Sequence, residues 1–126
     1  SLVMVDGSGL SRDNQVTTRL LAGSMGALRE HDPRAFELFL QGLPLAGSSG
    51  SLSKRMRSGP AFKTVRAKTG FIGGTSGLSG VVLEEGRARL AFSILVEYPR
   101  KAGLNTRAWK PMQDRIAQLL AAWVVK

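Results

Sequence analysis

The sequence predicts an α+β domain, an antiparallel sheet with packed helices, and three observations lead to this prediction. Apolar residues recur at helical spacing between residues 17 and 42, whereas residues 63–98 divide into three segments with strand patterning. A last amphipathic segment begins behind Pro111. The 126 residues, of which 43% are hydrophobic, suffice for one domain, 1–126, with a modest core.

A strand, a turn and a helix are predicted at the start of the chain. Residues 1–5 are apolar and predict a short strand that stops at the glycine-rich turn beginning at Asp6. Thr17 is the predicted N-cap of a helix that ends near His31, because a Thr hydroxyl accepts a hydrogen bond from a free N–H group of the first turn. The apolar face of this helix consists of Leu21, Met25 and Leu28.

A second helix and a long connection follow. Asp32 is the predicted N-cap and Pro33 the first residue of a shorter helix that ends at Gly42. Its apolar residues are Phe36, Leu38, Phe39 and Leu40. Residues 43–60 are rich in Gly, Ser and Pro, which predicts a long connection over the surface. Connections of this length inside compact domains are usually functional or disordered.

The next part of the chain is predicted to form three strands, at 63–71, 77–83 and 88–98. The third strand has the clearest alternation, and one of its two sets of residues is Leu90, Phe92, Ile94, Val96 and Tyr98. Glu85 and Gly86 stand between the second and third segments, and this pair is typical of a tight turn. The sequence therefore predicts an antiparallel hairpin there.

The C-terminal segment predicts an amphipathic helix that packs on one face of the sheet. Pro111 suits the first turn of a helix. The apolar residues that recur at helical spacing behind it are Met112, Ile116, Leu119, Leu120 and Trp123.

Composition excludes several kinds of site. The chain has no Cys and one His, which excludes disulfides, thiol nucleophiles and multi-His metal sites, so no metal and no cofactor are predicted. No apolar run is long enough for a transmembrane segment. The net charge is +9, but the basic residues are spread along the chain, which favours a solvated surface. A small basic binding module for nucleic acid or an anionic wall polymer is the alternative interpretation.

The tripeptide Lys68-Thr69-Gly70 falls at the end of a predicted strand. An ammonium and a hydroxyl at such a place can bind a substrate carboxylate, and the glycine allows close approach because it has no side chain. Lys-Thr-Gly is also the third motif of the serine β-lactamases and penicillin-binding proteins. An ordinary exposed strand end is the other interpretation.

Three segments in one order carry a resemblance to a known family. They are Asp-Gly-Ser-Gly-Leu-Ser-Arg at 6–12, Leu-Pro-Leu-Ala-Gly at 43–47 with Gly-Ser-Leu-x-x-Arg at 50–55, and Ala-Lys-Thr-Gly at 67–70. In this order and spacing the chain resembles the C-terminal portion of a class C low-molecular-mass penicillin-binding protein, of the D-alanyl-D-alanine carboxypeptidase/endopeptidase family. The resemblance covers nearly the whole chain but only the last part of such an enzyme.

The resemblance implies a partial penicillin-binding-protein or serine β-lactamase-like transpeptidase fold and acyl transfer through a serine ester. Lys68 would supply positive charge toward the substrate carboxylate, Thr69 would hydrogen-bond it, and Gly70 would give steric access. The backbone N–H of Phe71 would be one of two oxyanion-hole donors. The implied partners are peptidoglycan peptides and β-lactams, with no nucleic acid, and the implied location is the periplasm or the cell exterior.

Two motifs of the family are not expected in this chain. Its nucleophilic Ser-x-x-Lys and its Ser-x-Asn lie upstream of the turn at 6–12, and the sequence contains no Ser-x-Asn. One Ser-x-x-Lys occurs, from Ser51 to Lys54, but it lies in the Gly- and Ser-rich connection and is interpreted as a chance match. We therefore expect the chain to supply the Lys-Thr-Gly strand without catalysing alone. A non-catalytic scaffold is a further alternative.

The resemblance also predicts an exposed sheet edge. In penicillin-recognising enzymes, strands from the N-terminal part complete the sheet beside the strand that corresponds to 88–98. Without them this strand is free to pair. The chain is therefore expected to associate there with the remaining N-terminal part of the same protein or with a second copy, or to aggregate.

Overall fold

The chain forms three layers in a computed structural model, which describes residues 2–100 and 106–125. Two helices cover one face of a three-stranded antiparallel sheet, and the last helix packs on the other face. In chain order the elements are α1 (Thr18–His31), α2 (Pro33–Gly42), β1 (Val65–Ile72), β2 (Thr75–Glu84), β3 (Arg87–Glu97) and α3 (Thr106–Val124). The predicted α+β class with an antiparallel sheet is confirmed.

Helices α1 and α2 begin where the sequence predicts them. Thr17 Oγ1 accepts a hydrogen bond from Leu20 N at 3.1 Å, and Asp32 Oδ1 accepts one from Ala35 N at 2.9 Å. Asp32 also closes the end of α1, since its backbone N–H donates to Leu28 O at 2.8 Å. One aspartate therefore ends the first helix and starts the second.

Two tight turns join the strands in the order β1-β2-β3. The first turn consists of Gly73 and Gly74. The second consists of Glu85 and Gly86, whose φ angles of 50° and 76° are those of a type I′ hairpin turn. The predicted hairpin between β2 and β3 is confirmed, and β3 lies at an edge of the described sheet.

The side chains of β2 divide the core into two clusters. Val81 and Leu83 face α1 and α2, where they join Met25, Phe36 and Leu40. The cluster on the α3 side consists of Ala46, Leu52, Met56, Ala61, Val65, Ala67, Leu78, Val82, Phe92, Ala117 and Ala121. Both faces of β2 are therefore covered, which explains why its sequence is apolar at three successive positions, 81–83.

The strand predicted at 1–5 is wrong for residues 2–5, where a single β-bridge forms, and Ser1 lies outside the described residues. Val3 exchanges two backbone hydrogen bonds of 2.9 Å with Gln15. The apolar side chains of residues 2–5 remain 43–67% exposed. A strand becomes stable by pairing along its length and burying a face, and this segment does neither because the chain turns at Asp6.

The connection at 43–60 enters the core, so the prediction of a surface connection is also wrong. Its buried apolar residues are Leu43, Ala46, Leu52 and Met56. Gly47 N donates to both Leu52 O and Arg55 O, at 3.0 and 2.8 Å, which coils the segment on itself around the short 3-10 helix Gly50–Leu52. A Cβ on Gly47 would lie 2.5 Å from the Phe62 ring. Small residues thus permit a tight coil that carries apolar neighbours inward.

Helix α3 begins earlier than predicted and turns a different face to the sheet. It begins at Thr106, so Pro111 lies inside the helix. Its buried residues are Trp109, Gln113, Ala117 and Ala121. The predicted face is wrong in part, since Met112, Leu119 and Trp123 are 44%, 59% and 63% exposed. Alanines let a helix approach a sheet closely, and the larger apolar residues are left at the flanks.

Candidate active site

The predicted site residues lie at one accessible end of β1. Lys68, Thr69, Gly70 and Phe71 follow the buried first half of this strand. Lys68, Gly70 and Phe71 are exposed, and Thr69 is half-buried. The strand therefore passes from the core to open space at the Lys-Thr-Gly motif.

The backbone N–H of Phe71 faces away from β2. Successive residues of an antiparallel strand direct their backbone groups alternately to its two sides. On the side away from β2, Ala46 N donates to Val65 O at 2.9 Å. Ala67 N donates on the same side to Pro44 O at 3.0 Å. By this alternation the N–H of Phe71 also lies on the outer side of β1, past the segment that pairs with its first half.

A cavity of about 300 Å³ adjoins this strand end. It is lined by Ser51, Arg55, Thr69, Gly70, Phe71, Ser76, Gly77 and Lys110. Thr69 Oγ1 donates to Ser51 Oγ at 3.0 Å, which places Ser51 at the site and not in a remote surface connection. The Lys68 ammonium donates to the carbonyl oxygen of Thr69 at 2.7 Å. Three hydroxyl side chains and two cationic ones, those of Arg55 and Lys110, thus line the cavity beside an accessible strand backbone.

Arg55 joins the 43–60 connection to α3 beside this cavity. Its guanidinium lies 2.7 Å from Asp114 Oδ1 and donates through Nη2 to Gln113 Oε1 at 3.2 Å. The fully buried Gln113 donates from Nε2 to Ser76 Oγ at 3.3 Å. The sequence analysis noted Arg55 only as part of a motif and missed Asp114, Gln113 and Ser76. Gln113 could have been noticed because it lies at helical spacing from the small apolar residues Ala117 and Ala121.

The Asp6 carboxylate organises the turn at 6–14. Its oxygens accept hydrogen bonds of 2.7–3.1 Å from Ser8 Oγ, Gly9 N, Ser11 N and Asn14 Nδ2. These bonds, first that from Asn14 and then that from Ser8, lower the pKa of Asp6 because they favour the ionised carboxylate. The turn is therefore built around one negative charge.

This turn contacts the hairpin that follows the Lys-Thr-Gly motif. Arg12 Nη1 donates to Gly73 O at 2.6 Å. A second cavity of about 970 Å³ lies between the turn and the hairpin and includes Phe71 in its lining. Two of the segments that carry the family resemblance, far apart in the sequence, therefore meet at the end of β1.

No metal centre is evident in the part of the chain that the structure describes. Within it, no three His, Cys, Asp or Glu side chains are grouped so that they could hold an ion. His31 lies in the last turn of α1, where a basic side chain complements the helix dipole.

Comparison with known proteins gives consistent matches. The model of the D-Ala-D-Ala carboxypeptidase 3 (S13) family matches residues 1–122. The D-alanyl-D-alanine carboxypeptidase of Actinomadura sp. (strain R39) is 39% identical over 127 residues, 97% of this chain and 22% of that protein. The crystal structure of penicillin binding protein 4 from Haemophilus influenzae superimposes with a TM-score of 0.75 at 25% identity, over 99% of this chain and 28% of that one. The same protein complexed with a novel β-lactam matches with the same TM-score.

The chain has an antiparallel sheet that helices cover on both faces, and it carries Lys-Thr-Gly on an outer strand of that sheet. Together with the structural match, these features define part of a penicillin-binding protein. The match over residues 1–122 narrows this class, and the chain belongs to the D-Ala-D-Ala carboxypeptidase 3 (S13) family. The resemblance drawn from the sequence is confirmed. The chain spans 22% of the curated relative's length and 28% of the solved protein's.

Proposed function

We propose that the chain is the C-terminal portion of one penicillin-binding domain, in a serine-type D-Ala-D-Ala carboxypeptidase or endopeptidase that acts on peptidoglycan peptides. The observation that carries the proposal is the position of Lys68-Thr69-Gly70 at the accessible end of β1, beside the cavity that Thr69 and Phe71 line. The chain supplies one wall of the active site. The nucleophilic Ser-x-x-Lys and the Ser-x-Asn belong to another part of the same domain, so the chain alone is inactive.

Each of the four residues contributes a different part of acyl transfer. The ammonium of Lys68 attracts the terminal carboxylate of the peptide, and the Thr69 hydroxyl donates a hydrogen bond to it. Gly70 leaves room for the substrate, since nothing lies within 4 Å of the place its Cβ would take. The outward N–H of Phe71 donates to the oxyanion of the tetrahedral intermediate. Loss of one such donor slows a reaction about 10²–10³-fold.

The proposed reaction has two steps. The serine oxygen attacks the carbonyl carbon between the two D-Ala residues, the peptide bond breaks, and the terminal D-Ala leaves with a proton on its nitrogen. Water then attacks the serine ester, releases the shortened peptide as a carboxylic acid and supplies the proton that restores the serine hydroxyl. A penicillin forms the same ester by opening its lactam ring, and its amine stays attached.

Ser51 has no nucleophilic role in this proposal. Its Oγ accepts a hydrogen bond from Thr69 and, among residues 2–100 and 106–125, accepts none from a lysine amine. Lys54, the last residue of its Ser-x-x-Lys, is exposed and lies beyond the three-residue helix Gly50–Leu52. The two side chains therefore do not share the helical turn that would hold a basic nitrogen against the serine hydroxyl.

Intact-mass measurement after incubation with a penicillin tests the proposal. The samples are this 126-residue chain and the longest native form of the protein that carries it, with ring-opened penicilloic acid as the control. We expect a covalent adduct on the longer form only, and none from the control. An adduct on the 126-residue chain would assign Ser51 and overturn the mechanism. No adduct on either form would overturn the proposed function and favour a non-catalytic scaffold.

The proposed location is the periplasm or the cell exterior, where peptidoglycan lies. Across residues 2–100 and 106–125, no helix is both long and apolar enough to cross a membrane. The proposed partner along β3 is the remaining part of the same protein, because this strand lies at an edge of the described sheet, where a further strand can pair.

The net charge of +9 supports a second candidate, a binding module for nucleic acid or an anionic wall polymer. This candidate requires affinity that falls steeply between low and moderate salt, because bound counterions are released. Titration of the longest native form with DNA and with a teichoic-type polymer at two salt concentrations separates the candidates. Salt-sensitive binding without a penicillin adduct would favour the binding module.

A further inference from the structure

The turn between β1 and β2 is held from outside the hairpin. Gly73 and Gly74 form this turn, two residues beyond Phe71. The carbonyl oxygen of Gly73 accepts the 2.6 Å hydrogen bond from Arg12, and that of Gly74 accepts one of 2.9 Å from Tyr98 N. Both carbonyls of the turn are therefore fixed by residues that do not belong to β1 or β2.

Contacts from outside stabilise one conformation of a turn that consists of two glycines. Glycine has the widest choice of backbone conformations, and Gly74 adopts φ +100°, which L side chains rarely adopt. The N–H of Phe71 points to the outer side of β1, and the Gly70 carbonyl of the same peptide unit faces Gly77 on β2. The ladder therefore orients this N–H relative to β2. The contacts made by the turn fix the end of the hairpin as a whole against the loop that carries Arg12.

Hydrogen bonds close the loop that carries Arg12. Asn14 Nδ2 donates to the Asp6 carboxylate at 2.7 Å, and Asn14 Oδ1 accepts from the backbone N–H of Asp6 at 3.3 Å. The bridge between Val3 and Gln15 closes the base of the loop. Arg12 stands inside this closed loop, so its guanidinium reaches Gly73 from a backbone that is already ordered.

We infer that Arg12 is a positioning residue for acyl transfer, because it holds the Gly73–Gly74 turn and thereby fixes the end of the hairpin, with the Phe71 N–H, in place beside the reacting carbonyl. The inference rests on the proposed function. Arg12 acts through the Gly73 carbonyl and contacts no reacting atom. Misplacement of a catalytic group by about 1 Å can slow a reaction about 100-fold, so this contact affects the rate of ester formation more than the binding of the substrate.

The test compares variants of the longest native form of the protein. Arg12→Ala removes the hydrogen bond, Arg12→Lys keeps a donor, and Arg19→Ala removes the same charge from an exposed position of α1. Stopped-flow acylation by a fluorescent penicillin separates the dissociation constant of the first complex from the rate constant of ester formation. We expect Arg12→Ala to lower the rate constant about 10- to 100-fold with little change in the dissociation constant. Arg12→Lys recovers part of the rate, and Arg19→Ala matches the wild type.

Hydrogen exchange gives a second measurement that does not depend on turnover. Amides 71–75 should exchange faster in Arg12→Ala than in Arg19→Ala, at the same melting temperature. A wild-type protein that forms no ester would overturn the proposed function and the inference with it. A wild type that is acylated, with Arg12→Ala acylated at the same rate, would overturn the inference alone. Unchanged exchange at 71–75 would contradict it as well, even if Arg12→Ala reacted slowly.

Discussion

Arg55 and Asp114 form a 2.7 Å ion pair that fixes the 43–60 connection to helix α3. Their side chains are only 13% and 25% exposed, so the pair is largely removed from water. The connection carries Ser51 and the helix carries Lys110, which both line the cavity beside Thr69. The pair therefore determines the separation of two walls of the candidate site.

Arg55→Ala should lower the free energy of unfolding by about 2–3 kcal/mol, because it leaves Asp114 and the buried Gln113 without their partner. Urea unfolding measures the loss. Arg115→Ala is the matched control, since Arg115 is an exposed residue of the same helix, and its change should stay within about 0.5 kcal/mol. Equal losses of unfolding free energy in the two variants would show that the ion pair contributes no more to stability than an exposed arginine does.

Gly80→Ala should destabilise the sheet at the strand that carries Lys-Thr-Gly. A Cβ on Gly80 would lie 2.0 Å from Arg66 O and 2.5 Å from Ala67 Cα, and backbone atoms cannot move aside without separating β1 from β2. We expect a loss of about 3 kcal/mol in thermal or urea unfolding. Gly26→Ala in α1 meets nothing within 4 Å and should instead gain about 0.5–1 kcal/mol. A neutral Gly80→Ala would contradict the observed strand spacing.

The turn at 6–14 should loosen in acid. The pKa of Asp6 is lower in the folded chain than in the unfolded chain, where it is about 3.9, because the hydrogen bonds from Asn14 and Ser8 favour the carboxylate. Its contribution is therefore fully present above the unfolded value and is lost as pH falls through the lower folded value. The protection factors of the Gly9 and Ser11 amides, that is, their exchange rates relative to those of an unfolded chain at the same pH, measure it from pH 6 downward. Asp6→Asn should show low protection factors that do not change with pH, and a pH response of protection that survives in this variant would implicate another group.

Thr69→Val should weaken acylation by a penicillin, because it replaces the proposed carboxylate donor with a methyl group of nearly the same size. We expect the acylation efficiency to fall about tenfold or more, as for a lost hydrogen bond to a charged group. Thr69→Ser keeps the hydroxyl and should retain most of the efficiency. The measurement is the second-order acylation constant of the longest native form. Equal constants for Thr69→Val and the wild type would remove Thr69 from the carboxylate site.

Local signals made much of the fold predictable. Thr17 and Asp32 cap their helices through side-chain hydrogen bonds to residues three positions away, and Glu85-Gly86 is itself the hairpin turn. The face of α3 was not predictable in the same way. Its alanine stripe and its stripe of larger apolar residues both have helical spacing, and the short distance between helix and sheet selects the alanines.

The candidate site was also predictable only where its residues are neighbours in the sequence. Lys68 to Phe71 are contiguous, so one strand pattern places them together at its end. The contacts of Arg12 with Gly73 and of Arg55 with Gln113 join residues 61 and 58 positions apart. Hydrogen bonds between such distant residues leave no periodicity in the sequence. The segment around Ser51 was misplaced because its composition is that of a loop, while its few apolar residues decide its burial.

Because these contacts join residues that are far apart in the sequence, they form late while the chain is being synthesised. Helices α1 and α2 and the two hairpins close through neighbouring residues, so their local contacts need no residue that is added much later. Arg55 must wait for Asp114, which is added 59 residues later. The nascent chain therefore presents the Lys-Thr-Gly strand before the cavity beside it has its second wall. Under the proposed function, capture of a β-lactam would distinguish chains that contain α3 from those whose translation stopped before Thr106.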